Sequence, residues 1–270
     1  MLKLMYITNK PEIAVIAENS GVDRIFIDLE TIGKQERQGG MDTVQSHHTL
    51  EDVSTIRYTI KKAELLVRTN HIYDGSKDEI DEIVSRGADV IMLPYFKTVN
   101  EVAKFIDCVG GRTRTILLVE TKEAVDKIDA ILELEGIDEM YIGLNDLHLS
   151  YGMKFMFQLL EDGTIERLGN KFKTKGYPWG FGGIAALGKG DLPAERVIKE
   201  HYRLGSSIAI LSRSFCNTDK EKNLEMIQET FKKGIADIRN LEKEAKMYVD
   251  YFTDNQRCIK EVISSIVNKK

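Results

Sequence analysis

The chain has 270 residues, of which 42% are hydrophobic and 30% charged, and its formal net charge is -5. That length buries one large core, and an α/β barrel of roughly 250 residues is a single domain, so size alone does not demand a second. Mild acidity without a basic stripe argues against a nucleic-acid partner, and no apolar run approaches the ~20 residues of a membrane span.

Three cysteines, Cys108, Cys216 and Cys258, are odd in number and widely spread. This favours reduced thiols in a cytoplasmic protein over a disulfide frame or a zinc site. The opening segment MLKLMYITN turns polar too soon for a signal peptide and reads as a strand.

Taken in order, strand and helix alternate. Lys3 to Ile7 is strand-like, and Pro11 to Asn19 is a helix with Pro in its first turn. Arg24 to Leu29 is a second strand, followed by a long polar loop and a helix over Leu50 to Lys61. Glu64 to Thr69 is a third strand, and Lys77 to Arg86 a helix stopped by Gly87. Asp89 to Leu93 is a fourth strand, and Val99 to Val109 a helix ended by Gly110-Gly111.

Thr115 to Val119 is an unbroken apolar run, the mark of a strand buried on both faces. Helical spacing over Thr121 to Leu134 and a strand over Met140 to Ile142 follow. Lys154 to Phe172 is helical in part, interrupted by a turn at Asp162-Gly163. Gly180 to Ala186 is a glycine-rich strand, Pro193 to Leu204 a helix, and Ser207 to Leu211 the last strand. Eight such units in order predict a closed (β/α)₈ TIM barrel over 1–218.

The segment 219–270 exceeds what an eighth barrel helix needs. Its apolar stripe, Leu224, Ile227, Phe231, Ile235, Ile238 and Leu241, suits either the chain's own barrel or a neighbouring subunit in a homo-oligomer.

The chemistry centres on Arg114 to Gly152, where a strand, a helix and a second strand carry Glu120 directly after the first strand and Asp146 after the second. Successive parallel strands point their C-terminal ends the same way, so both carboxylates emerge at the face where such barrels place their chemistry. Each carboxylate suits either a helix cap or, together with water, a Mg²⁺ or Mn²⁺ site that leaves positions for substrate.

The segments Leu-Val-Glu120-Thr-Lys-Glu-Ala124 and Ile-Gly143-Leu-Asn-Asp146-Leu-His-Leu-Ser-Tyr-Gly152 resemble the HpcH/HpaI aldolase and citrate lyase β-subunit family over about Gly21 to Gly152. The resemblance implies a TIM barrel that holds Mg²⁺, Mn²⁺ or Co²⁺ on Glu120 and Asp146. It also implies an α-keto acid chelated there, beside Gly143, Leu144 and Asn145. Leu144 departs from the family's usual Pro, and Leu118 from the Gln of its aldolase branch.

Arg68, in Leu-Leu-Val-Arg68-Thr-Asn70, resembles the family's V-R-x-N motif, which implies contact with the keto acid's reactive oxygen. A planar cation there steadies charge developing during C–C cleavage; an ion pair within the barrel mouth is the alternative. Asp23-Arg-Ile-Phe-Ile-Asp28-Leu-Glu30 resembles the family's second strand, with Asp28 and Glu30 on one face. They either orient Arg68 and the waters of the metal or form structural pairs.

Thr31 stands where the aldolase branch has a His and the citrate lyase branch an Asp. His47 or His48 is a candidate replacement base, with water on the metal as the rival. Lys34 with Arg37, and Arg213 after the last strand, are candidate anchors for a substrate carboxylate or phosphate. Gly180 to Gly190 lacks the context of a dinucleotide or P-loop motif.

These residues together predict a metal-dependent aldolase-type lyase acting on a pyruvate-like 2-keto acid and an aldehyde. A CoA-ester lyase of citrate or malate type, or a catalytically impaired sugar-acid binding protein, is the alternative.

Overall fold

The computed structural model describes residues 1–33, 46–248 and 250–269. Eight strands, β1 (Lys3–Ile7), β2 (Arg24–Asp28), β3 (Glu64–Arg68), β4 (Val90–Leu93), β5 (Arg114–Val119), β6 (Glu139–Ile142), β7 (Trp179–Ile184) and β8 (Ile208–Leu211), pair in sequence order. All are parallel, and β8 closes on β1 through Lys3↔Ile208 and Met5↔Ile210. The described helices lie outside this ring: α1 (Pro11–Asn19), α2 (Leu50–Thr59), α3 (Ser76–Ser85), α4 (Val99–Val109), α5 (Lys122–Asp126), α6 (Ile128–Ile131), α7 (Leu144–Ser150), α8 (Gln158–Glu161), α9 (Thr164–Thr174), α10 (Ala194–Leu204), α11 (Leu224–Met247) and α12 (Phe252–Val267). Among the described residues no helix is long and apolar enough to cross a membrane.

Local chemistry explains the boundaries. Thr49 and Thr98 each form a reciprocal capping box, with Asp52 and Glu101 respectively. Gly110 takes the left-handed conformation that ends α4. The helix expected over Thr121 to Leu134 is broken at Lys127, whose backbone leaves the helical region and whose Nζ reaches the Lys97 carbonyl at 3.0 Å.

Period-two alternation divides the strand residues into two cores. One set, including Ile25, Ile27, Leu65, Val67, Leu117 and Val119, packs outward beneath the helices. The other, Met5, Phe26, Leu66, Met92, Ile116, Leu118, Tyr141 and Ile208, fills the barrel interior.

Below that inner layer lies a charged one that the apolar strand pattern does not announce. The first residues of five strands, Lys3, Arg24, Glu64, Arg114 and Glu139, meet at the N-terminal mouth. Arg24, 0% exposed, forks onto Glu139 with two bonds of 2.6 Å and donates to Glu64 at 2.7 Å. Arg114 and Lys3 also reach Glu64, at 2.5 and 3.5 Å. A guanidinium this deep is tolerated because its planar donors are matched by carboxylates.

The C-terminal helices fold back onto their own barrel. Phe231 of α11 packs edge-on against Tyr6 and Phe215, with ring centroids 4.8 and 5.4 Å away. Glu242, 0% exposed, accepts from the Leu2 amide at 2.5 Å and from the Tyr202 hydroxyl at 2.7 Å. Of the stripe, Ile227, Phe231, Ile235, Ile238 and Leu241 are buried within one chain, whereas Leu224 is 46% exposed.

Replacing Glu139 by Gln should destabilise the fold by about 3–5 kcal/mol in urea unfolding, because Arg24 is left as a buried, underpaired charge. Arg24→Met combined with Glu139→Leu should recover much of that loss. Arg24 and Arg114 also hold the Glu64 carboxyl down to about 2, against the opposing effect of burial. A depressed carboxyl contributes stability that is complete above its unfolded value and lost as pH falls towards the folded one. The wild-type midpoint should accordingly fall between roughly pH 4.5 and 2, and a Glu64→Gln variant should show a shallower fall.

Candidate active site

The C-terminal mouth of the barrel opens into a cavity of about 620 Å³, and Asp28, Arg68, Glu120 and Asp146 all line it. The tertiary structure thus brings together the four charged residues selected from β2, β3, β5 and the segment after β6.

Neither candidate metal ligand is a helix cap. Thr121 caps α5 by accepting from the Ala124 amide, leaving the adjacent Glu120 to turn inward. There its Oε1 accepts from the Tyr95 amide at 2.9 Å. Tyr95 follows β4 with φ of 50°, a left-handed conformation that costs a side-chain-bearing residue free energy. That cost keeps an amide aimed at the carboxylate. Gly143 provides the room, since a Cβ there would lie 2.6 Å from Glu120 Oε2 and 2.9 Å from its Cβ.

Asp146 sits in the first turn of α7, not at the strand end itself, and is 6% exposed; the N-cap, Gly143, has no side chain to compete with it.

Arg68 is held in a fixed pose. Its Nε and Nη2 donate to the two Asp28 oxygens at 2.9 and 2.8 Å, and Nη1 lies 3.4 Å from Glu30. Its guanidinium carbon stands 5.6 Å from the Phe26 ring centroid. Asp28 is therefore the residue that orients Arg68, with Glu30 adding charge from the same strand face. The flanking carboxylates raise the pKa of Arg68 against the opposing effect of burial.

Asn70 supports this arrangement from below in the sequence. Its Oδ1 accepts from the Thr31 and Ile32 amides at 2.8 and 2.9 Å, while its amide nitrogen donates to Glu79 at 3.0 Å. The chain just after Glu30 is thereby tied to α3.

Among the described residues, four buried carboxylates gather around Arg68 at this mouth. Burial first, then the charges of Glu30 and Asp146, push the Glu120 carboxyl well above the usual carboxylate range; Arg68 and the Tyr95 amide oppose that rise. A divalent cation held between Glu120 and Asp146 would relieve this repulsion. Among the described residues no cluster of three or more His, Cys, Asp or Glu is arranged to hold a metal. Two hard oxygen ligands, with the rest of the shell left to water and substrate, match Mg²⁺ or Mn²⁺ better than an all-protein cage would.

The remaining candidates fall into three groups. His48 Nδ1 accepts from the Asp28 amide at 3.0 Å, so in its neutral form the ring proton belongs on Nε2. That tautomer leaves Nε2–H as a donor, whereas the sequence made His48 one of two candidate bases beside water on the metal. His47 is exposed on the cavity rim, and Asn145 is exposed beside it.

Leu144 is 2% exposed and packs where a Cβ on Gly182 would come within 2.7 Å of it, so only its backbone can meet a ligand. Arg213 lies on the cavity wall on the β8 side. Lys34, with its neighbour Arg37, lies outside the described residues.

Sequence reading passed over Tyr95 and Lys10. The amide of Tyr95 acts whatever its side chain, and Lys10 joins the cavity only because β1 closes beside β8. For Tyr95 the nearest available sign was Pro94, which ends the preceding strand.

A profile of the HpcH/HpaI aldolase/citrate lyase family matches residues 3–156. Among curated proteins, the 2-keto-3-deoxy-L-rhamnonate aldolase of Salmonella gallinarum is 27% identical over 170 residues, which span 52% of this chain and 58% of that protein. The protein of the same description from Shigella dysenteriae is 25% identical over 200 residues, 61% of this chain and 69% of its own length. The chain thus spans little more than half the length of the first of these relatives.

Of solved structures, an HpcH/HpaI aldolase from Desulfitobacterium hafniense superposes with a TM-score of 0.63 at 15% identity, covering 84% of this chain and 93% of that one. The citrate synthase SbnG gives 0.60 at 18% identity, covering 84% and 92%. At those identities both likenesses establish the barrel fold alone.

Because ionised Glu120 is disfavoured in the metal-free fold, Glu120→Gln should raise the melting temperature of metal-free protein at pH 7 while weakening binding of Mn²⁺. The sign follows from linkage: a raised carboxyl withdraws stability as pH climbs through its folded value, and the amide removes that loss. Calorimetric Mn²⁺ titrations in two buffers of different ionisation enthalpy should also show proton release as the ion displaces the Glu120 proton. A variant that melts lower and binds Mn²⁺ as wild type would place the ion elsewhere.

Proposed function

The chain belongs to the HpcH/HpaI aldolase/citrate lyase family, and from that premise we propose that it is a divalent-metal-dependent carbon–carbon lyase of aldolase type. Its substrates are a pyruvate-like 2-keto acid unit and an aldehyde. The observation that carries this reading is the convergence of Glu120, Asp146 and the Asp28-pinned Arg68 on one cavity. The aldolase names of the relatives at 25–27% identity support the same direction.

In this reading Glu120 and Asp146 hold Mg²⁺ or Mn²⁺. When bound, the ion supplies a Lewis acid that polarises the keto oxygen and gives the acid's carboxylate a second point of attachment. Arg68 does the corresponding work from the protein side. Its Nε and Nη2 are committed to Asp28, so its guanidinium plane is set before substrate arrives and loses little freedom on binding.

Negative charge develops on the keto oxygen as the carbon–carbon bond breaks, and a preset cation stabilises that state more than the ground state. The floor beneath, Phe26, Met92, Leu118 and Tyr141, is buried and keeps water from screening the interaction.

His48, with Nδ1 accepting from Asp28, presents Nε2 as a donor to the oxygen of the departing or arriving aldehyde. In that neutral form it hydrogen-bonds the oxygen and stabilises charge there without itself giving up or accepting a proton. Arg68 and His48 are consequently both positioned by Asp28, one through its carboxylate and one through its amide.

We place the protein in the cytoplasm as a homo-oligomer without nucleic-acid or membrane partners. The exposed Leu224, Met226, Met247 and Tyr248 of the tail offer a surface that a second copy would cover. Light scattering that returns the mass of a single chain would remove the oligomer from this reading.

Two reactions separate the roles. With Mn²⁺ present, exchange of the pyruvate methyl protons in D₂O, followed by NMR, needs no aldehyde. Glu120→Gln, Asp146→Asn and Arg68→Met should abolish both exchange and cleavage of 4-hydroxy-2-keto acids. His48→Ala should lower cleavage by on the order of 10²–10³-fold, the worth of a donor to a developing oxyanion, while exchange stays within a few-fold of wild type. An equal loss of exchange in His48→Ala would make it the base after all; normal activity in Glu120→Gln would overturn the metal reading.

A further inference from the structure

The chain leaving β2 is tied down residue by residue. The Asp28 amide donates to His48 Nδ1 at 3.0 Å, that of Leu29 to the Arg68 carbonyl at 2.9 Å, and that of Glu30 to Asp28 Oδ1 at 3.2 Å. The next two amides, of Thr31 and Ile32, both donate to a single atom, Asn70 Oδ1. Five consecutive amides are thus satisfied, although β2 itself ends at the first of them, Asp28.

Asn70 serves two amides only while its oxygen faces them. A side-chain amide has an acceptor on one side and donors on the other, and half a turn exchanges the two. Glu79, in the first turn of α3, removes that freedom. Its Oε1 accepts from the Asn70 backbone amide at 3.2 Å and from Nδ2 at 3.0 Å, and an ionised carboxylate accepts but never donates. Nδ2 must therefore face Glu79, which turns Oδ1 towards Thr31 and Ile32. Burial raises the Glu79 carboxyl above its usual range, while the two Asn70 donors and the Tyr73 hydroxyl oppose that rise. Thr69 anchors the same turn from β4: its hydroxyl donates to the Asn70 carbonyl at 2.8 Å and its amide to the Met92 carbonyl at 3.1 Å.

The residue that depends on this path is Glu30. Asp28 holds Nε and Nη2 of Arg68, and Glu30, 1% exposed, lies 3.4 Å from the remaining nitrogen, Nη1. Glu30 stands beyond the end of β2, so its place is set by the direction the chain takes through Thr31 and Ile32.

Resting on the aldolase reading of Arg68, we infer that Asn70 and Glu79 are a positioning pair for the reaction. Glu79 fixes the orientation of the Asn70 amide, Asn70 fixes the path of the chain after β2, and that path keeps Glu30 against Arg68. Neither is among the described residues that line the cavity, and both act through Glu30.

The pair can be inverted without changing its charge. Asn70→Asp alone sets two carboxylates against each other. Adding Glu79→Gln places an amide opposite the new carboxylate, so Thr31 and Ile32 keep an acceptor and that acceptor regains a donor. In the Mn²⁺-loaded full chain, Asn70→Asp should lower kcat for exchange of the pyruvate methyl protons by on the order of 10- to 100-fold, the usual cost of losing an outer support of a site. Its Kd for Mn²⁺ should stay within a few-fold of wild type, since Glu120 and Asp146 are untouched. The double variant should recover most of the lost rate. Glu79→Ala, which leaves Asn70 its oxygen but not its constraint, should fall between.

A wild-type kcat in Asn70→Asp or in Glu79→Ala, or a Mn²⁺ affinity that falls as far as the rate, overturns the pair. So does a double variant no faster than the single variants; should Asn70→Asp not fold, Glu79→Ala serves as the comparison. If the wild type itself exchanges no pyruvate protons, the aldolase reading fails, and NMR of the Arg68 Nε–H in the metal-free chain decides the positioning. That proton should exchange with water several-fold faster in the single variants and return towards the wild-type rate in the double. One rate throughout would overturn the pair.

Discussion

The structure turns on repulsion among carboxylates gathered where water is scarce. Asp28, Glu30, Glu120 and Asp146 are each no more than 6% exposed at one end of the barrel, with Arg68 set among them. Arg68 offsets part of that charge, while burial first, and then the charges of Glu30 and Asp146, hold the Glu120 carboxyl well above the ordinary range. A fold selected for stability alone gains nothing from this arrangement. A fold selected to hold a divalent cation does, because the same repulsion becomes attraction when the ion enters.

The two ends of the barrel lumen treat buried charge in opposite ways. At the N-terminal mouth Arg24, Glu64, Arg114, Lys3 and Glu139 are matched donor to acceptor, and the network closes the barrel. At the C-terminal mouth, among the described residues, Asp28, Glu30, Glu120 and Asp146 crowd around Arg68 in the lining of the open cavity and beside it. Between them lies an apolar layer that separates the two networks and lowers the dielectric for both. The same strands serve all three layers: β2 runs Arg24, Phe26, Asp28 along its inner face and β3 runs Glu64, Leu66, Arg68.

Backbone features complete the site. Tyr95 gives Glu120 an amide from a left-handed conformation, Gly143 gives it space, and Gly182 makes room for Leu144. The last two are linked: Leu144 in place of the family's usual Pro fits because the facing residue in β7 has no Cβ. The departure from the family pattern at one strand end is absorbed at its neighbour.

The sequence by itself determined the alternation of eight strands with helices, and hence the barrel, because buried parallel strands must be continuously apolar and crossover helices amphipathic. It also singled out Glu120, Asp146, Arg68, Asp28 and Glu30, since each lies at a strand end or within a few residues of one, in a motif that resembles the family's. Three matters were left to the tertiary structure.

The first is whether those carboxylates cap helices or face inward, which depended on Thr121 and Gly143 occupying the cap positions. Another is the tautomer of His48, fixed by an amide twenty positions away in the chain. The last is the part of the cavity lining where β7 meets the segments that follow β1 and β8. Local pattern carries only the periodicity of one element, whereas these outcomes depend on which strand ends become neighbours when β8 closes on β1.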